Sequence, residues 1–261
     1  MIKQLNRIDI AVTDLPGACA AYADLFGVAP HARAADSARF RLANTDVLLQ
    51  AAGAILPHSG GEGLCGMAFG VDDLERAARL LDNRGVAWTR ESGPDGPRLR
   101  LDSAASHGAP VTLEPVPARD TRREAETGLT GAGAVVGVDH LVLRSANPTR
   151  AMAFWGARMG LSLRFDRTFP QMGARVTLFR CGDMKIEVAS REDPAKAEQD
   201  DELWGVSWRA ADIAGLHARL AGGFDLSEVR RGLEPGTAVF TIRNRTHGVA
   251  TIAIGARQLE A

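Results

Sequence analysis

The sequence predicts an α+β fold built from four tandem βαβββ modules, divided into two domains of two modules each. Three internal matches carry that prediction. Residues 6–28, NRIDIAVTDLPGACAAYADLFGV, align without a gap to residues 139–161, DHLVLRSANPTRAMAFWGARMGL, at a constant offset of 133 that sets Tyr22 on Trp155 and Gly27 on Gly160. GMAFGVDDLERAARLL from Gly66 matches GVSWRAADIAGLHARL from Gly205 at an offset of 139. The closing segments SHGAPVTLEP and THGVATIAIG also correspond, with His107 on His247. Self-similarity at a fixed spacing is the mark of repeated supersecondary units.

The modules run over about 3–51, 64–116, 136–190 and 202–255. Each opens on an alternating strand, such as Ile8-Asp9-Ile10-Ala11-Val12 in the first. A turn rich in Asp, Asn or Pro then starts an amphipathic helix; in the second module this is DDLERAARLLDNRG, stopped by Gly85. Shorter alternating runs follow, RFRLA and DVLLQ in the first module and ARVTLF and DMKIEV in the third. The segment 167–179, RTFPQMGARVTLF, is longer than its counterpart and forms either an apolar lid with Phe169 and Met172 or an extended hairpin. The polar, Gly-ending stretch VPARDTRREAETGLTGAGA reads as a linker, which gives domains at 1–116 and 136–261 around 117–135.

Composition narrows the function. Of 261 residues 45% are hydrophobic, enough for real cores, and the formal charge of −1 gives no reason to expect nucleic acid or an anionic membrane as partner. Cys19, Cys65 and Cys181 are odd in number and far apart, which suits reduced thiols better than a disulfide framework or a CxxC metal site. The start, MIKQLNRIDIAV, lacks the pattern of a signal peptide, and no apolar run is long enough to span a bilayer. A soluble, cytoplasmic protein is the expectation, as a monomer or a homodimer. Searches for a GxSxG elbow, a P-loop, GxGxxG after a strand and HExxH all come up empty.

Four βαβββ modules, with a hydrophobic-Asp-His-hydrophobic opening at 138–141 and a closing GxxxxLEP at 108–115, resemble the vicinal oxygen chelate superfamily of glyoxalases, extradiol dioxygenases and bleomycin resistance proteins. The resemblance covers nearly the whole chain. It implies that modules pair into cupped, barrel-like domains with helices outside, and that strand alternation sorts side chains between cup and helix. His140, Val142 and Arg144 then face the cup in the third module, with Lys185 and Glu187 on its last strand. Arg7, Asp9 and Gln50 do so in the first module, Glu114 in the second, and Gly205, Ser207 and Ile254 in the fourth.

The resemblance also implies a divalent metal (Fe, Mn, Zn or Ni) held by one residue from the first and one from the last strand of each paired module. In the N-terminal pair those positions carry Arg7, Gln50, Gly66 and Glu114, and an arginine cannot coordinate a metal. Arg7 is expected instead to bring a fixed positive charge there, with Glu114 or Asp9 as partner. In the C-terminal pair His140 and Glu187 fill two positions while Gly205 and Ile254 leave two empty. A third ligand would come from Glu114 if the second and third modules paired. His140 thus stands open as a metal ligand, as half of a metal-free proton-transfer pair with Glu187, or as a structural residue. His107 and His247 recur in matching Ser/Thr-His-Gly turns, and turn geometry is their simpler explanation.

Two functions remain. One is an enzyme acting on a small apolar or aromatic oxygenated metabolite, with His140 and Glu187 in the C-terminal cup, Arg144 or Lys185 steering an anionic oxygen, and Arg7 and Gln50 as further binding residues. The other is a metal-free small-molecule binding or resistance protein.

Overall fold

The structure is a computed structural model that describes residues 1–54, 61–93, 95–117, 133–191 and 193–257. The side chains of Ala54 and Met172 lie outside that description, as does most of the expected linker at 117–135.

All four βαβββ modules are present. The first holds β1 (Ile2–Val12), α1 (Leu15–Phe26), β2 (Ala32–Arg33), β3 (Ser37–Arg41) and β4 (Asp46–Ala51). The second holds β5 (Gly63–Val71), α2 (Leu74–Asn83), β6 (Trp88–Gly93), β7 (Gly96–Leu101) and β8 (Val111–Pro115). The third holds β9 (Val135–Ser145), α3 (Pro148–Met152), β10 (Ser162–Phe169), β11 (Ala174–Cys181) and β12 (Met184–Ser190). The fourth holds β13 (Glu202–Ala210), α4 (Ile213–Leu220), β14 (Arg230–Arg231), β15 (Thr237–Ile242) and β16 (Ala250–Ala256). The strands form two curled eight-stranded sheets, ordered β2-β3-β4-β1-β5-β8-β7-β6 and β10-β11-β12-β9-β13-β16-β15-β14. Each module's first and last strands are neighbours, and the two first strands of a sheet lie side by side at its centre.

Local chemistry sets the helix ends. Asp14, Asp73, Asn147 and Asp212 each cap a helix start by accepting a backbone N–H. Gly27 ends α1 with φ +77, a left-handed cap that side-chain-bearing residues resist. The third helix departs from the others: after α3 the chain widens into a π turn over Ala153–Arg158, where Met159 N–H bonds to Phe154 C=O five residues back.

Contacts group the chain into two compact units, each drawing on both sequence halves. The first comprises Met1–Ile8, Gly66–Ala118 and His140–Trp204; the second comprises Asp9–Cys65, Arg119–Asp139 and Gly205–Ala261. Each has an aromatic centre joining a helix to a first strand. In the first unit Trp155 meets Phe69 edge-on with centroids 6.1 Å apart, and in the second Phe26 meets Trp208 at 4.9 Å. Trp155 and Trp208 are fully buried, as core residues should be. Each unit also sends an arginine to the carbonyl end of a neighbouring helix: Arg84 donates to Arg158 C=O at 2.7 Å, and Arg219 donates to Asp24 and Leu25 C=O. A cation at that end complements the helix dipole.

His107 and His247 sit at φ +54 and +49, so the recurring Ser/Thr-His-Gly segments are tight turns. His247 Nδ1 also lies 3.3 Å from Glu62 Oε1, which accepts from both Thr13 N–H and Thr13 Oγ1 at 2.7 Å. Those bonds, the Thr13 hydroxyl first, pull the Glu62 carboxyl from its ordinary 4.5 down to about 2. A carboxylate with a depressed folded pKa stabilises above its unfolded value and loses that contribution as pH falls through its folded value. Urea denaturation midpoints of the wild type should therefore fall between about pH 4.5 and 2 more steeply than those of Glu62→Gln; parallel curves would show that Glu62 contributes nothing.

Candidate functional site on the inner face of the third module

Strands β9, β12, β11 and β10 place their inner side chains in rows. Parallel pairing of β12 with β9 sets Lys185 beside His140, Glu187 beside Val142 and Ala189 beside Arg144. Antiparallel pairing continues those rows through Arg180, Leu178 and Val176 on β11, then Ser162, Phe165 and Arg167 on β10. A bulge between Leu163 and Phe165 keeps the rows aligned where β10 would otherwise slip. The opposite face carries Leu141, Leu143, Ile186 and Val188, all buried. The period-two sorting expected from sequence is met here.

His140 Nε2 lies 3.4 Å from Glu187 Oε2, and the two side chains are 11% and 19% exposed. A neutral imidazole next to a carboxylate can accept a proton and have the resulting imidazolium stabilised by that neighbour. Arg144 is more exposed. Its guanidinium lies over the Trp204 ring at 3.7 Å from the centroid, with Nη1 3.7 Å from Glu202 Oε2. Lys185 is half-buried beside His140.

The other site residues proposed from sequence have contacts of their own. Arg7 is buried and donates to both oxygens of Glu114, at 3.1 and 3.4 Å, with Nη1 also 3.0 Å from Asp95 Oδ2. Of the two partners considered for Arg7, Glu114 supplies this paired contact. Asp95 was not foreseen: it stands just before β7 in the β6–β7 hairpin. Gln50 lies half-buried on β4 opposite Ser37.

The donor set does not fit the family's metal. His140 and Glu187 contact each other. Glu114 has both oxygens on Arg7, and among the described residues no three His, Cys, Asp or Glu side chains group as metal ligands. Gly205 cannot be exchanged for a ligand without moving the backbone, because a Cβ there would meet Ala250 O at 2.7 Å. Ile254 is a buried aliphatic residue. Thiols do not supply the deficit: all three cysteines are free, and burial pushes Cys65 and Cys181 up to about 12.

The loop at 167–179 is an extended hairpin closed by a 3₁₀ turn at Pro170–Met172. Phe169 packs with Val176 and Leu178, and Phe165 lies against them. That inner apolar cluster was not foreseen in the sequence, although the alternation of Phe165, Arg167 and Phe169 carries the signal. Among the described residues no helix is long and apolar enough to cross a membrane.

Paired curled sheets of βαβββ modules, with polar groups on the inner strands, define the class of protein. A model of the Glyoxalase/Bleomycin resistance protein/Dioxygenase superfamily matches residues 4–101 and 137–261, and the chain belongs to that superfamily. No curated protein matches the chain in sequence. Among solved structures it is similar to the Mn(II)-bound glyoxalase from Novosphingobium aromaticivorans, with 18% identity, TM-score 0.69, and coverage of 97% of this chain and 82% of that one. It is similar to an extradiol ring-cleaving dioxygenase from B. fuscum, with 16% identity, TM-score 0.74, and coverage of 99% and 72%. It is also similar to the 2,3-dioxygenase LapB from Pseudomonas sp. KL28, with 14% identity, TM-score 0.73, and coverage of 100% and 94%. At these identities the likeness is one of fold.

Breaking a buried ion pair by removing one partner leaves an unpaired charge and costs about 3–5 kcal/mol. Arg7→Met should lose stability on that scale in urea denaturation, and Arg7→Met with Glu114→Gln should regain most of it. A small loss in the single variant would mean that the pair does not hold the first sheet's inner face.

Proposed function

We propose that the chain is an enzyme of the superfamily that moves a proton on a small oxygenated metabolite, with His140 as the base and Glu187 as its partner. The observation that carries this reading is the 3.4 Å approach of His140 Nε2 to Glu187 Oε2 on an inner face where the resemblance to the superfamily would place metal ligands. The functional domains would be 1–116 and 136–261, with the site in the latter, and the setting a cytoplasm.

The chemistry follows from the pair. A bound molecule with a C–H or O–H acidified by a neighbouring carbonyl would give its proton to His140. The imidazolium so formed would sit against the Glu187 carboxylate, which lowers the cost of holding that charge away from bulk water. Lys185, beside His140, supplies a positive charge for the oxygen that becomes negative as the proton leaves. No step needs a metal, which agrees with the donor set. The solved glyoxalase that the chain resembles in fold is Mn(II)-bound, so a divalent ion is the first alternative to test.

Gly205 and Ile254, which offer no donor, favour a second reading: a metal-free protein that binds a small molecule without transforming it. One experiment separates the two. Phenylpyruvate, whose benzylic C–H lies next to a carbonyl, is incubated in D₂O with protein freed of divalent ions by chelation, and deuterium uptake is followed by NMR. Exchange faster than the uncatalysed rate, falling about 10²-fold or more in His140→Gln, is the expected result. Binding with no accelerated exchange would favour the second reading, and exchange that returns only with added Mn(II) would replace the metal-free mechanism.

A further inference from the structure

The inner face of the third module differs from its helix face in a way that bears on what it binds. On the helix face Leu141, Leu143, Ile186, Val188 and Phe179 are 0–1% exposed. On the inner face the apolar residues Val142, Val176, Leu178 and Phe169 keep 6–8%, and Phe165 is half-buried. Phe169, Val176 and Leu178 pack together with Phe165 against them, and all stop short of being sealed. A row of Val142, Glu187, Leu178 and Phe165 runs across the strands next to His140.

The next row begins and ends in arginine: Arg144, Ala189, Val176, Arg167. Its outer strands are three inter-strand spacings apart, about 14 Å, which two arginine side chains can close between them. Both guanidinium groups rest on aromatic rings, Arg144 on Trp204 at 3.7 Å and Arg167 on Phe169 at 5.1 Å. Glu202 Oε2, at 3.7 Å from Arg144 Nη1, is beyond hydrogen-bonding distance. A guanidinium held over a ring face by cation–π attraction keeps N–H donors for the two oxygens of a carboxylate.

We infer that the third module's inner face selects an anion with a flat apolar body, an aryl carboxylate. Its apolar part lies on Val142, Leu178 and Phe165, and its carboxylate is held by Arg144 with Arg167 nearby. This rests on the proposed function for the location of the site and goes beyond it in naming the substrate class. The rows explain the division of labour: Arg144 lies four residues along β9 from His140, about 13 Å, with the Val142–Glu187 row between them, so a ligand held by its carboxylate at Arg144 extends its apolar body across that row toward the His140–Glu187 pair. An uncharged molecule of the same shape would lose the arginine contact, and acetate would lose the apolar one.

Calorimetric titration of the full chain with phenylacetate, phenylacetamide and acetate tests this without requiring turnover. Phenylacetate should bind at least about tenfold more tightly than either of the others, the margin of one charge-assisted hydrogen bond. Arg144→Gln should erase the advantage over phenylacetamide while leaving phenylacetamide binding in place. Leu178→Ser should weaken phenylacetate and phenylacetamide alike. Equal binding of acid and amide, an unchanged preference in Arg144→Gln, or no binding of any of the three would overturn the inference. Proton exchange at His140 is a separate readout: carboxylate selectivity through Arg144 with no exchange would sink the enzymatic reading and leave the ligand class standing.

Discussion

Helices that cover only one face of a curled sheet oblige every strand to be two-sided. One set of alternate side chains is sealed under helix, and the other is turned to the concave face. In the third module the sealed set reads Leu141, Leu143, Ile186 and Val188, and the concave set reads His140, Val142, Arg144, Lys185 and Glu187. A slip of one residue in β12 would bury Lys185 and Glu187 under the helix, where nothing is arranged to pair them. Register is therefore set by the apolar face, and the polar pair on the other face inherits its precision from that packing.

That dependence explains how much was legible in the sequence. The repeat gave the four modules, and alternation sorted Leu141 from His140 because each strand has one strictly apolar face. Trp155 and Trp208 were readable as core for the same reason. What escaped was whatever depends on the curl of a sheet rather than on the order of a strand. Asp95 meets Arg7 across 88 residues of sequence, a contact that strand order alone does not announce. Trp204 meets Arg144 only because two strands lie at a particular spacing, and α3 gives way to a π turn for which neither composition nor spacing offered a sign.

The repeat also exposes a division between equivalent positions. Arg7 and His140 correspond by the offset of 133, yet Arg7 bonds to Glu114 and Asp95 while His140 lies 3.4 Å from Glu187. A guanidinium holding two carboxylates has little left to offer a substrate. An imidazole can change charge near neutral pH, which a guanidinium cannot. Equivalent places in one fold thus hold an arginine–carboxylate cluster in one module and a histidine–carboxylate pair in another. The chain belongs to the superfamily, and among its described residues no three His, Cys, Asp or Glu side chains group as metal ligands.

The central claim is that the His140–Glu187 pair lies on the surface that meets the ligand. Histidine side-chain NMR during titration with phenylacetate tests it most directly, because the chain has only six histidines to assign. The account predicts that the His140 resonances shift with saturation while those of His107 and His247, held in their turns, stay in place. Saturable binding that leaves His140 unmoved would contradict it.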